Sequence, residues 1–397
     1  LNNVLIVAPK GVYSTWVNKE LQAHIPDDVE YEVVKWSSSH TKKFLKQLEN
    51  LFQYDKKLKI LVMNIEAFST KKGCQYANKF IQANRTMFII DESTTIKNPS
   101  AKRTQSCVRL GKYAHYRRIL TGSPITKSPL DLYSQCMFLD PALLGFSSYY
   151  AFRARYADMK EMTGQGRTFK FVTGYKNLDE LNETLGKFSH RVLKKDCLDL
   201  PEKIYIRREI EMTPEQTKAY RELQKFAATQ LANKKLVTIN HIMTQIIRLH
   251  QISCGFIGTD DGSITELPNN RVSELSSILE ETDGKVIIWA NYRHDIKRIE
   301  KLLIDIYGED SVGTYYGDVP QERREYVINE FQNPDSPMRF FVGNTQTGGY
   351  GITLTAAKTV IYFSNNYDLE KRLQSEDRAH RIGQTNKVTY IDIVCER

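Results

Sequence analysis

Short apolar runs rich in β-branched residues recur along the chain, each closed by polar or turn-forming residues. Val4–Ala8, Ile60–Met63, Met87–Ile90 and Arg118–Leu120 form a first set. A second set begins near residue 270 and comprises Val286–Trp289, Arg339–Val342, Val360–Phe363 and Tyr390–Val394. Continuous rather than alternating apolar character marks strands covered on both faces, as in parallel sheets reached through crossovers. Helices expected at Arg293–Tyr307 and Gln321–Phe331 fall between strands of the second set, where crossovers belong. The pattern predicts an α/β protein with one parallel-sheet region at 1–129 and another at 266–397, separated by a helix-rich stretch at 130–265.

Within that stretch, Thr213-Pro214-Glu215-Gln216 reads as a helix start. The threonine hydroxyl can cap free N–H groups, proline has no N–H to lose, and the glutamine can reach back to the cap. This helix is expected to run to about Ala232, and a second to span roughly Thr238–His250. Residues 158–178 are rich in Gly and Thr and predict a loop or hairpin. Apolar runs such as Val286–Ala290 are far shorter than the roughly 20 residues a bilayer-spanning helix needs.

Composition changes the picture little: 41% hydrophobic and 26% charged residues in 397 suit two or three globular domains. Charge is more informative. The formal net charge is +9, and it is uneven. No acidic side chain lies between Glu92 and Asp131, while Lys97, Lys102, Arg103, Arg109, Lys112, Arg117, Arg118 and Lys127 all do. Such a stripe suits a solvated face or a phosphate-binding surface. The six cysteines are scattered without a Cys-x-x-Cys pair, and the eight histidines show no ligand spacing. His250 and Cys254, one helical turn apart, are only two ligands. A zinc site or disulfide framework is not expected, and a reducing compartment fits.

Four segments carry candidate chemistry. Asp91-Glu92 closes the run Met87–Ile90, where a nucleotide hydrolase places an aspartate for Mg²⁺ and a glutamate for the attacking water. Thr121 and Ser123, in Leu120-Thr121-Gly122-Ser123-Pro124-Ile125, put small hydroxyls at the next strand exit; a plain Gly-Pro turn explains them equally. In Thr345-Gln346-Thr347-Gly348-Gly349-Tyr350-Gly351 the glycines, Gly349 and Gly351 among them, admit a phosphate or a nucleic-acid backbone close to the main chain; a tight turn is the alternative. Arg378 and Arg381, in the segment Gln374–Gln384, share a helix face and can point at one anion, or can simply lie on an exposed charged helix.

In this order and spacing the four segments closely resemble the motifs of the Swi/Snf family of DNA translocases, within helicase superfamily two, over essentially the whole chain. Further matching text includes Val4–Lys10 with Trp16, Phe138-Leu139-Asp140-Pro141, Leu200-Pro201-Glu202-Lys203 and Lys285–Arg293. Thr173–Leu181 is similar to the fork-remodelling, annealing-helicase branch. The resemblance implies two RecA-like lobes with helical insertions, ATP and Mg²⁺ as cofactors, and double-stranded DNA as a sequence-independent partner. An unidentified protein partner is also allowed for. Asp91 and Glu92 would serve Mg²⁺ and water; Gln374, Arg378 and Arg381 would meet the phosphates. Lys10, Trp16, Asn64, Lys97, Asn291, Arg293, Gly317 and Thr345 would line the DNA path.

The family also needs a Gly-Lys-Thr or Gly-Lys-Ser phosphate loop ahead of the segment at Val4. Gly-Lys occurs here only at Gly111-Lys112, Gly186-Lys187 and Gly284-Lys285, followed by Tyr, Phe and Val. Truncation is the expected reason, and residues 1–397 alone are expected not to turn over ATP. The alternatives are a strand-separating helicase and a nucleotide-dead DNA-binding module. The minimal build suggests a prokaryotic or viral source and a cytoplasmic or nucleoid location, or a nuclear one if the source is eukaryotic.

Overall fold

The computed structural model describes every residue except 40, 54, 165–166, 233–238, 259–262, 349–350 and 397, and leaves aside the side chains of 162–164, 167–169, 195, 229–232 and 239–241. The chain divides into two compact units, Leu1–Leu193 and Lys194–Arg397.

The first unit is built on β1 (Asn3–Ala8), β2 (Tyr31–Lys35), β3 (Leu58–Asn64), β4 (Thr86–Asp91) and β5 (Tyr116–Leu120), in the order β2-β3-β1-β4-β5 and parallel throughout. Successive side chains of a strand point to opposite faces, and here both faces are covered. Leu5 and Val7 enter one apolar cluster with Leu61, Met63, Phe88 and Ile90, whereas Val4 and Ile6 enter another with Leu21, Ile60 and Val62. That double burial is why β1 reads as an unbroken apolar run. Beyond β5, helices Leu132–Leu139, Tyr149–Tyr156 and Leu178–Gly186 form a small core of their own around Tyr133, Phe152, Tyr156 and Leu181. Residues 158–178 resolve the expected loop or hairpin into an antiparallel hairpin, β6 (Ala157–Gly164) and β7 (Arg167–Tyr175).

The second unit carries β8 (Lys203–Ile210), the short pair β9 (Phe256–Gly258) and β10 (Ile264–Glu266), then β11 (Val286–Trp289), β12 (Val312–Tyr315), β13 (Phe340–Gly343), β14 (Thr359–Tyr362) and β15 (Val388–Cys395). Its main sheet runs β12-β13-β11-β14-β15-β8, again all parallel. Val286 and Ile288 face one cluster, Ile287 and Trp289 the other. The helix Pro214–Ala232 starts as anticipated: Gln216 N–H donates to the Thr213 hydroxyl at 3.3 Å, and Thr213 N–H donates to the Gln216 side chain at 3.1 Å.

The stretch 130–265, expected between two sheet regions, is instead shared out. Residues to Leu193 belong with the first sheet. Beyond Lys194 the chain contributes β8, a sixth strand of the second sheet, paired with β15 from Lys203↔Val388 to Ile210↔Cys395. Main-chain hydrogen bonding to β15, rather than a hydrophobic run, makes Lys203–Ile210 a strand.

Candidate functional site

Parallel strands send their carboxyl ends to one edge, where ligands of such sheets bind. In the first unit Ala8 lies opposite Asn64, and Asp91 opposite Leu120. Lys10, Asn64, Asp91-Glu92, Thr121 and Ser123 therefore leave the sheet along a single edge. In the second unit Trp289 lies opposite Gly343 and Tyr362, and Tyr315 opposite Gly343. Asn291, Arg293, Gly317 and Thr345 follow those strand ends.

Asp91 is the best-defined group of the first edge. One carboxylate oxygen accepts from the Trp16 indole N–H at 2.9 Å and the other from Glu92 N–H at 2.9 Å. Burial raises its pKa and outweighs these two hydrogen bonds, which pull the other way. Glu92 has φ 49° and ψ 58°, the left-handed region that a residue with a Cβ rarely adopts. Such strain persists only where the surroundings impose it, and it clusters at functional sites. Trp16 opens a π-helical turn, Trp16–Glu20, and its indole meets Asp91, so that N–H is not offered to a nucleic acid.

Lys97 is likewise engaged within its unit: its ammonium donates to the Thr126 hydroxyl and lies 3.9 Å from Asp131. Burial raises the Asp131 carboxyl, but donors from Lys127 N–H and from the Thr126 hydroxyl and N–H, with the Lys97 charge, hold it below its ordinary value. Thr121 accepts from Ser123 N–H at 3.2 Å, closing the turn. The residue that ties the two motifs together is one that the sequence reading missed. Gln135 is fully buried; its carbonyl accepts from the Ser93 hydroxyl at 2.6 Å, and its amide donates to the carbonyls of Pro124 at 2.8 Å and Asp131 at 2.9 Å. The spacing of Asp131 and Gln135, one helical turn apart after the Gly-Ser-Pro turn, was the available signal. Lys10 is exposed, and Asn64 donates to Glu66 at 2.8 Å.

On the second edge, Arg378 and Arg381 converge. Their guanidinium groups donate to the same carbonyl, Ile352, at 3.2 and 3.3 Å, beside Gly351 with its positive φ of 66°. Arg378 also donates to the Gln374 carbonyl at 2.9 Å. Two cations held on one main-chain oxygen next to a glycine form an arrangement that a phosphate group could join or replace. Gln384, buried, closes the segment by donating to the carbonyls of Thr355, Ala357 and Ala379.

Other residues of this edge are engaged within their own unit. Thr345 is buried and its hydroxyl accepts from Asn366 at 3.2 Å. Gly348 serves packing: a Cβ there would stand 2.4 Å from the Trp289 ring, so glycine is needed without any ligand. Gly349 lies outside the described residues. Arg293 pairs with Asp318 at 2.9 Å, on the exposed surface beside Gly317, and Asn291 N–H donates to the Ser364 hydroxyl at 2.8 Å.

Among the described residues no group of three or more His, Cys, Asp or Glu side chains could hold a metal ion unaided. Asp91 with Glu92 supplies hard oxygen donors of the kind that hold Mg²⁺ when nucleotide phosphates and water complete its shell, so the pair fits that ion as a shared ligand set.

The SNF2-related domain family matches residues 2–255, and the helicase conserved C-terminal domain matches residues 270–383. The chain belongs to the SNF2-related family. Its two parallel-sheet units are the RecA-like lobes of that family. It is 28% identical over 391 residues to a Caenorhabditis elegans protein named SWI/SNF-related matrix-associated actin-dependent regulator of chromatin subfamily A-like protein 1 homolog, across 97% of this chain and 51% of that protein. It is 26% identical over 313 residues to the Mus musculus DNA annealing helicase and endonuclease ZRANB3, across 77% of this chain and 27% of that protein. The chain thus spans about half or less of the length of these relatives. A solved structure of the Sulfolobus solfataricus SWI2/SNF2 ATPase core in complex with dsDNA is similar at 24% identity and a TM-score of 0.41, over 100% of this chain and 77% of that one. No helix among the described residues is long and apolar enough to cross a membrane.

Proposed function

We propose that this SNF2-related chain serves as the motor of an ATP-dependent translocase that moves along double-stranded DNA. The observation that carries the reading is the pair of edges: an Asp-Glu step held in strained backbone on one, and two arginines converging on one carbonyl on the other. Asp91 would share Mg²⁺ with the nucleotide, and that ion would offset the charge of the β- and γ-phosphates. Glu92, turned by its left-handed backbone, would orient and polarise the attacking water. Arg378 and Arg381 would exchange the Ile352 carbonyl for phosphoryl oxygens, where guanidinium charge is worth most in the transition state. Thr121 and Ser123 would lie on the phosphate-facing edge of the first unit, and Gly351 beside the two arginines of the second.

Lys10, Asn64 and Arg293, beyond strand ends, would follow the phosphate backbone, which makes binding sequence-independent and salt-sensitive. The likeness to annealing-helicase relatives, together with Thr173–Leu181, favours forked or rewinding DNA as the setting. The test is ATP turnover, at two salt concentrations, by protein that also carries the Gly-Lys-Thr or Gly-Lys-Ser segment, titrated with duplex DNA, single-stranded DNA and RNA. Duplex should stimulate most. Stimulation led by RNA or single strands would replace the translocase with a strand-separating helicase, and DNA binding without turnover would leave a nucleotide-dead module.

A further inference from the structure

The segment that opens the second unit, Lys194–Tyr205, holds the arginine-bearing turn through several side chains. Glu376, only 3% exposed, lies between Gln374 and Arg378. One of its carboxylate oxygens accepts from the Lys203 ammonium at 3.0 Å and the Tyr205 hydroxyl at 2.8 Å. The other accepts from Arg372 at 2.9 Å. Its neighbour Asp377 pairs with Lys194 at 2.6 Å. The His380 ring, one residue before Arg381, donates from Nε2 to the Pro201 carbonyl at 2.7 Å, since a carbonyl can only accept. Tyr205 in turn stacks on Tyr390, with ring centroids 5.4 Å apart, and Tyr390 donates to the Glu376 carbonyl at 2.9 Å.

None of these contacts is needed to make a helix of Leu369–Glu376, which already has its own N-cap: the Asp368 side chain accepts from Glu370 and Lys371 N–H. What they fix is the position of the turn that follows, residues 377–381, which is not helical and carries both arginines. A buried carboxylate with three donors from two segments has one favourable position, and losing a donor leaves charge unmatched where water cannot replace it. Because Lys203 and Tyr205 lie on β8, which is locked to β15 along its length, that position is referred to the sheet.

We propose that Lys203 and Tyr205, acting through Glu376, are positioning residues for Arg378 and Arg381, so that the first strand of the second unit sets the competence of the arginines. The proposal rests on the ATPase reading above and adds a control point to it. The experiment compares Tyr205→Phe, Lys203→Met, the double variant and Lys203→Arg in protein carrying the phosphate-loop segment. Four quantities are read: kcat and KM for ATP, duplex affinity, melting temperature and amide exchange across 376–384.

The double variant should lose about 10- to 100-fold in kcat, the range expected when reacting groups shift by about an ångström. KM and duplex affinity should change less than about twofold, and Lys203→Arg should restore most of the rate, since it keeps the charge-assisted hydrogen bond. Exchange across 376–384 should accelerate while exchange elsewhere in the unit does not. A lower melting temperature with kcat within twofold of the parent would show the contacts to be structural only and overturn the proposal. If the double variant does not fold, Tyr205→Phe alone decides on the same terms. If the parent protein itself shows no turnover, the ATPase reading fails, and unchanged exchange across 376–384 would then sink this proposal separately.

Discussion

Replacing Gln135 with leucine keeps the side chain's volume and removes its hydrogen bonds, which isolates the link between the Asp91-Glu92 turn and the Gly-Ser-Pro turn. In the native chain the fully buried Ser93 hydroxyl has Gln135 as its acceptor at 2.6 Å. A buried hydroxyl stranded in this way costs about 1–3 kcal/mol. The Pro124 carbonyl, bonded at 2.8 Å but partly reached by water, adds about 1 kcal/mol, the usual net value of a hydrogen bond. The sum is about 2–4 kcal/mol, or roughly 4–16 °C in melting temperature for a unit of this size. Differential scanning calorimetry of the native chain, Q135L, S93A and the double variant reads it directly. Since Ser93→Ala deletes the stranded hydroxyl, the double variant should be more stable than the sum of the singles by about 0.5–3 kcal/mol. A shift below about 2 °C, or strict additivity, would refute the reasoning.

Arg381→Ala should lower ATP turnover by about 10³–10⁵ while duplex affinity stays within a few-fold, because a guanidinium of this kind acts mainly on the transition state; parallel loss of both would assign Arg381 to the DNA path. Asp295, wholly buried with one oxygen unpartnered, has its carboxyl pushed up to about 7 by burial, against the opposing charges of Arg298 and Arg271. A raised carboxyl contributes stability below its unfolded pKa of about 3.9 and loses it as pH climbs through 7, up to about 4 kcal/mol. His250, held down to about 4 by burial and then by Arg271, runs oppositely, losing stability as pH falls below about 6.5. The comparison is therefore variant against parent: Asp295→Asn should gain on the parent between pH 5 and 8 in urea denaturation, and parallel profiles would contradict the assignment.

The strands of both sheet centres were legible because burial on two faces leaves no polar position to interrupt the run, as in β1 and β11. The place of Asp91 and Glu92 at a strand end was legible for a related reason: strand exits in a parallel sheet share an edge. The edge strands β8 and β12 were not legible. β8 (Lys203–Ile210) mixes charged and apolar residues without a period of two, and β12 contains Gly313, where a Cβ would come within 2.6 Å of Val327. Neither looks like a strand until β15 and β13 offer unpaired main-chain groups. The same limit hid Gln135 and Glu376. Each is a single polar residue whose meaning lies in donors 42 and 173 positions away. Sequence determines which groups can ionise or donate and which face of a strand they take. Only tertiary packing decides which of them are shut away from water together, and there an unmatched hydrogen bond becomes expensive enough to hold a turn in place.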